Sequence, residues 1–337
     1  MKITTNHGPD TIAEKIFAGY KSREEEQRPH LGASVIGRRC DREIWLGFRW
    51  ALPRSFDGRM LKLFKRGHFE EYIMIADLES IGVIFEKGTT GDKQKFLSFL
   101  PHFGGSPDGI IASGVPGAPK KRHLFECKTM SKKNFDKLEK DHEIKPEHIA
   151  QMNMYMRALG LDSALYCAVC KDDDRLFFER VKYDEKIATY YLDRARRIIK
   201  SQRLPEPING ASAEWFECKM CPAYDFCHIT KKITCAEVNC RTCAHSTPEE
   251  TGKWSCALYT LDDISVENQR VGCTDHVIHP DLVPWAMHED SATIEAAAYV
   301  IDGEIILNGH GGAESRYLLS DDFTKKLCDT FKGQVQP

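Results

Sequence analysis

At 337 residues, with 42% apolar side chains and a formal charge of −3, the chain exceeds a single small module and lacks the charge of a wholesale basic nucleic-acid binder. No apolar run approaches the roughly 18 residues of a membrane span and the N-terminus is polar, so a soluble cytoplasmic protein with no membrane contact is expected. Without an export signal, the 13 cysteines read as metal ligands rather than disulfides.

In chain order, Ser34 is expected to cap a helix through Arg38, Cys40, Arg42, Trp45 and Leu46. A longer helix follows from about Arg59 to Ile81, with Leu61, Phe64, Ile73, Leu78 and Ile81 as its apolar stripe. Segments rich in β-formers at 83–86, 109–112 and 124–129 read as strands separated by turns. A helix opens at Pro146 and stops at Gly160, two strands follow at 164–170 and 176–183, and another helix runs from Glu185 to Gln202. This order predicts an α/β fold of mixed α+β type, a mixed sheet flanked by helices. Two domains are expected, 1–230 and 231–337. Between about 205 and 284 the sequence is rich in cysteine and turn formers and poor in apolar residues, so bound metal is expected to hold it together.

Charge is uneven. Residues 235–337 carry 7 Lys and Arg against 17 Asp and Glu, whereas residues 1–234 carry 40 against 33, so a phosphate-binding surface belongs to the first part. Arg28 to Arg66 is denser still, with ten basic and three acidic residues.

The segment Gly105-Ser106-Pro107-Asp108-Gly109 lies a short loop before Phe125-Glu126-Cys127-Lys128. On a strand, Glu126 and Lys128 project together while Phe125 and Cys127 turn into the core. With Asp108 alongside, two hard oxygen ligands can grip Mg²⁺ or Mn²⁺ to activate water against a phosphate, with Lys128 orienting that water. Either fragment alone is more often a turn or a surface ion pair; both in order and in strand context are more specific.

These motifs resemble the PD-(D/E)XK nuclease superfamily, with its restriction-endonuclease-like core. The resemblance implies phosphodiester hydrolysis, with Asp108 and Glu126 as metal ligands, the Cys127 carbonyl as a further ligand and Lys128 as the catalytic lysine. Arg66-Gly67-His68-Phe69-Glu70-Glu71 resembles the histidine motif of the RecB-like branch, which implies His68 as an additional ligand, one that suits Mn²⁺; Glu71, one turn on, could orient it or hold a second ion, though a solvated helix glutamate is the commoner case. Gln151 and Tyr155 resemble that branch's QxxxY motif, which implies contact with the DNA strand.

Cys218, Cys221 and Cys227 lie close in sequence, and Cys40 is the candidate fourth ligand. The layout resembles the iron-sulfur nucleases of the CRISPR-associated RecB-like exonuclease family and the AddB nuclease domain, implying a structural 4Fe-4S cluster, with zinc as the alternative. Cys240, Cys243, Cys256 and Cys273 have the spacing of a small zinc module, with Cys235, His245 and His276 as possible substitutes. Cys127, Cys167, Cys170 and Cys328 are expected to pack as small apolar residues.

The resulting expectation is a metal-dependent DNA exonuclease resecting DNA ends in phage or bacterial recombination or repair, with DNA ends or single strands as its ligand and a recombination or single-strand-binding protein as its expected partner. The alternatives are a spacer-processing nuclease of CRISPR adaptation and an inactive metal-stabilised adaptor.

Overall fold

The computed structural model describes residues 11–23, 26–52, 56–91, 94–228, 237–283, 287–289, 296–301, 304–309 and 311–318. The chain divides into two compact units. The first comprises 1–28, 54–99 and 104–191; the second comprises 29–53, 100–103 and 192–337.

The first unit is built on a five-stranded mixed sheet in sequence order: β1 (Ile84–Phe85), β2 (Gly109–Ser113), β3 (His123–Met130), β4 (Ser163–Cys170) and β5 (Leu176–Lys182). All neighbours are antiparallel except β3 and β4, which run parallel. A parallel pair requires a crossover. Here it contains Lys132–Asp141 and Pro146–Leu159, the second opening on proline and closing on Gly160 at φ 62°. Every residue of β4 is buried, as befits a strand covered on both faces.

Helix α1 (Ile12–Lys21) precedes the long helix α2 (Gly58–Ser80), whose N-cap Asp57 accepts from the Met60 amide at 2.7 Å. Met74, Ile75 and Leu78 of α2 pack with Val83, Ile111, Phe125, Leu165 and Val169 in the core. The buried stripe therefore differs from the expected one: Phe64, Ile73 and Ile81 are exposed, and Leu78 alone of those three positions' apolar companions enters this cluster. The inward face includes the smaller and more polar Gly67 and Glu71, which hydrophobicity alone passes over.

In the second unit, the first helix is Asp41–Phe48 with Cys40 at its N-cap, while Ser34 lies in a turn. Acidic Asp41 and Glu43 occupy its first turn, where the helix dipole favours them. The unit has an apolar core: Trp45, Leu46, Trp254, Ile278 and Leu282 are all buried. The low apolar content of 205–284 thus misleads, because residues 29–53 contribute Trp45, Leu46, Phe48 and Trp50. Strands Ser246–Pro248 and Trp254–Cys256 form a hairpin, and Met287–Glu289, Ala296–Ile301 and Glu304–Gly309 form an antiparallel sheet. Among the described residues, no helix is long and apolar enough to cross a membrane. Cys235 and Cys328 lie outside the described residues.

Candidate active site

Antiparallel pairing sets Gly109 opposite Phe125, which brings Asp108 beside the next residue of β3. A Cβ at position 109 would come within 3.0 Å of Thr90 Cγ2 and 3.2 Å of the Phe85 ring, so glycine keeps this turn tight. The backbone N–H of Cys127 donates to Asp108 Oδ2 at 2.8 Å. Strand alternation operates as expected: Phe125 is fully buried and Cys127 packs partly against the core, while the Lys128 ammonium donates to Glu126 Oε1 on the other face. Glu126 is fully buried, Lys128 remains 24% exposed, and Glu126 Oε2 has no hydrogen-bond partner.

A third carboxylate joins them. Glu71 on α2 is half-buried and accepts from Gln94 Nε2 at 2.6 Å; the same amide nitrogen lies 3.4 Å from the Asp108 carbonyl oxygen. Burial, Asp108 and Glu126 push the Glu71 carboxyl up to about 8. Burial pushes Glu126 up to about 7, with Lys128 opposing and Asp108 adding to the rise. Asp108 is also raised by burial, against the pull of Lys128, the Cys127 amide and His68. Burial works against the Lys128 ammonium, yet Glu126 and Asp108 hold its pKa above the ordinary lysine value. Four groups from α2, the β2 turn and β3 therefore share one electrostatic environment, with His68 exposed on the same helix and near enough to act on Asp108.

Gln151 and Tyr155 are both buried. The Tyr155 hydroxyl donates to the Ser106 carbonyl at 2.9 Å and thereby ties the loop carrying Asp108 to its helix. Phe99 packs edge-on against the Tyr155 ring at 5.7 Å. Two further residues enter the surroundings. Tyr166 pairs with Glu126 in the parallel register, and its hydroxyl lies 2.9 Å from His148 Nδ1. Burial, then Lys128 and Lys145, lowers His148 to about 3 and keeps it neutral. Sequence spacing carries no signal for Gln94, His148 or Tyr166, which meet the site only through the fold.

In the second unit, Cys40, Cys218, Cys221 and Cys227 line one cavity of about 60 Å³. The Ala223 amide points at Cys221 Sγ at 3.4 Å, an N–H···S contact that steadies a thiolate. Burial pushes the Cys221 thiol up to about 12, helped by Glu43, Cys227 and Cys40, and raises Cys227 as well. Cys240, Cys243, Cys256 and Cys273 form a second neighbourhood: burial raises Cys240 to about 12, and the other three thiols add to that rise. His276 has Nε2 3.0 Å from the Asn239 carbonyl oxygen and Nδ1 2.8 Å from Ser315 Oγ, so both ring nitrogens are engaged. His245 differs, since its Nε2 is buried with no partner. Cys167 and Cys170 are buried among strand side chains. Among the described residues, no three His, Cys, Asp or Glu side chains close around a point as donors to one ion.

No protein-family model and no curated protein sequence matches the chain. Solved structures similar to part of it include the alkaline exonuclease LHK-Exo from Laribacter hongkongensis, 18% identical, covering 55% of this chain and 90% of that one, with a TM-score of 0.35. The same enzyme in complex with dAMP has the same identity and coverage and a TM-score of 0.38. SSO0001 is 14% identical, covers 64% of this chain and 95% of that one, and has a TM-score of 0.39.

Proposed function

We propose that the protein is a divalent-metal-dependent deoxyribonuclease that hydrolyses phosphodiester bonds at DNA ends, in the manner of RecB-like PD-(D/E)XK exonucleases serving recombination or repair. The observation that carries this reading is Glu126 Oε2, a buried carboxylate oxygen with no partner beside Asp108. A buried acceptor left unmatched is costly unless a ligand satisfies it. Asp108, Glu126 and the Cys127 carbonyl would offer hard oxygens, the donor chemistry that Mg²⁺ or Mn²⁺ takes, and His68 a nitrogen that favours Mn²⁺. Such an ion supplies Lewis acidity toward the phosphate and acidifies water.

The chain's own groups do the rest. Lys128 donates to Glu126 in the resting site, and its cationic form is the one that can orient water and balance charge on the phosphate. Gln94 holds Glu71, and Tyr155 fixes the Asp108 loop through Ser106. Cys40, Cys218, Cys221 and Cys227, which line one cavity, would hold a 4Fe-4S cluster, with zinc as the alternative. Cys240, Cys243, Cys256 and Cys273 would hold zinc, with His245 as an alternative donor.

The test is anaerobic purification with iron and zinc assay, then cleavage of end-labelled linear and circular DNA with Mn²⁺ or Mg²⁺ by the parent and Lys128→Ala. Metal-dependent loss of linear DNA by the parent alone is expected. Equal digestion by both proteins rejects the mechanism, circular DNA lost as fast as linear rejects end dependence, and zinc without iron overturns the cluster.

A further inference from the structure

We propose that the outward face of α2 is a stacking platform for an unpaired nucleic-acid strand leading to the active site; this rests on the nuclease reading. At 100° per residue, Lys62, Lys65, Phe69, Tyr72 and Ile73 fall within an arc of about 100°; the same arc includes Gly58, which packs against Phe17 of α1, so the open part of this face begins beyond the first turn. Gly67, Glu71, Met74, Ile75 and Leu78 face the other way, and His68 falls between the two arcs. The platform therefore shares one helix with His68, one of the candidate metal ligands, and with Glu71. Gly67 brings that helix against β3 near Lys128, because a Cβ there would stand 3.8 Å from Thr129 Oγ1.

The chemistry of the outward arc selects its occupant. Phe69 and Ile73 are 55% and 53% exposed, a large apolar area for side chains on the helix that carries His68 and Glu71. Tyr72 is 45% exposed, with its ring lying against Gly91 so that it is held in place. Lys65 Nζ lies 5.6 Å from the Phe69 ring centroid, pairing a cation with an aromatic face. The acids of this stretch do not oppose a phosphate: Glu71 turns toward the site and Glu70 pairs with Arg66 at 3.5 Å. Basic residues interleaved with flat apolar side chains match a single strand, whose bases are free to stack while its phosphates meet the lysines. A duplex keeps its bases stacked on one another, so away from its ends it offers the aromatic ring no free face.

The test uses the full-length holoprotein carrying Lys128→Ala, with binding of a labelled oligothymidine strand and of a blunt duplex followed by anisotropy. Phe69→Ala is expected to weaken strand binding about ten-fold, with duplex binding unchanged, and Phe69→Trp to retain it. Tyr190→Ala, another exposed aromatic, is expected to bind as the parent does. In active protein, Phe69→Ala should slow degradation of the strand. If Phe69→Ala binds the strand as tightly as its parent, or if it converts a dimer to a monomer in sedimentation, the platform is overturned and the nuclease reading stands. A parent that neither binds nor cuts DNA overturns both.

Discussion

Two buried charges, Glu126 in the first unit and Arg241 in the second, are handled in opposite ways. The first gathers carboxylates around Glu126 and leaves one buried oxygen unmatched. The second buries Arg241 and supplies each nitrogen with a partner: Nε to Gln269 Oε1 at 2.9 Å, Nη1 to the Phe48 carbonyl at 3.1 Å and Nη2 to the Pro29 carbonyl at 2.9 Å. Its guanidinium also lies 3.7 Å from the Trp50 ring centroid and 4.8 Å from that of Trp254. Burial still lowers it to about 9, but the charge is fully coordinated. A satisfied buried charge specifies a fold, whereas an unsatisfied one marks a place for something else to bind.

The largest effect that could break this contrast is at the carboxylates. Glu126→Gln is expected to reduce metal-dependent cleavage at least about 10²-fold while leaving the metal-free protein no less stable, since it removes the acid whose ionisation burial opposes. Cleavage assays and thermal melts on one preparation check both halves, and a destabilised but active variant would erase the distinction. Next, Arg241→Ala should destabilise the second unit by about 3 kcal/mol, because it strips a buried network and opens space among aromatic rings. Tryptophan fluorescence in urea reports this selectively, as Trp45, Trp50, Trp215, Trp254 and Trp285 all fall within that unit's ranges.

A smaller effect is expected from Gln94→Ala, which frees the Glu71 carboxylate: about a ten-fold rise in the Mn²⁺ concentration needed for half-maximal cleavage. The last prediction concerns pH. Glu126 at about 7 and Glu71 at about 8 are raised, so their contribution to the metal-free first unit is complete below the ordinary carboxylate range and is lost as pH climbs through 7 to 8. His276 and His279, lowered to about 4 chiefly by burial, contribute fully above about 6.5 and lose that contribution as pH falls toward 4. Urea melts at pH 5 and pH 8 should therefore shift in opposite directions when followed by tryptophan fluorescence and by exchange of β3 amides. Added Mn²⁺ should restore the β3 signal at pH 8 only.

Much of the first unit was legible because its elements follow local rules. Pro146 and Gly160 bracket their helix within a residue, and Phe125-Glu126-Cys127-Lys128 alternates between faces as a strand requires. The pairing of Asp108 with that strand could be anticipated because a short antiparallel connection leaves few alternatives. Gln94 and Tyr166 could not, since nothing near them in sequence indicates that they meet Glu71 and Glu126. The stripe on α2 was misread because Phe64, Ile73 and Ile81 are apolar yet exposed, while Gly67 and Glu71 face inward. The core of the second unit escaped notice for a topological reason: its tryptophans come from segments about 200 residues apart, and periodicity within a window cannot join them.

The parallel register between β3 and β4, Glu126 against Tyr166 and Cys127 against Cys167, also limits how this chain can be edited. Adding or deleting one residue inside 123–130 would turn the carboxylate and amine inward and present Phe125 to solvent, because strand faces alternate at every position. Lengthening the exposed turn at 116–122, beyond the buried Val115, carries no such penalty. Insertional scanning of these two adjacent stretches should thus find permissive and lethal sites only a few residues apart.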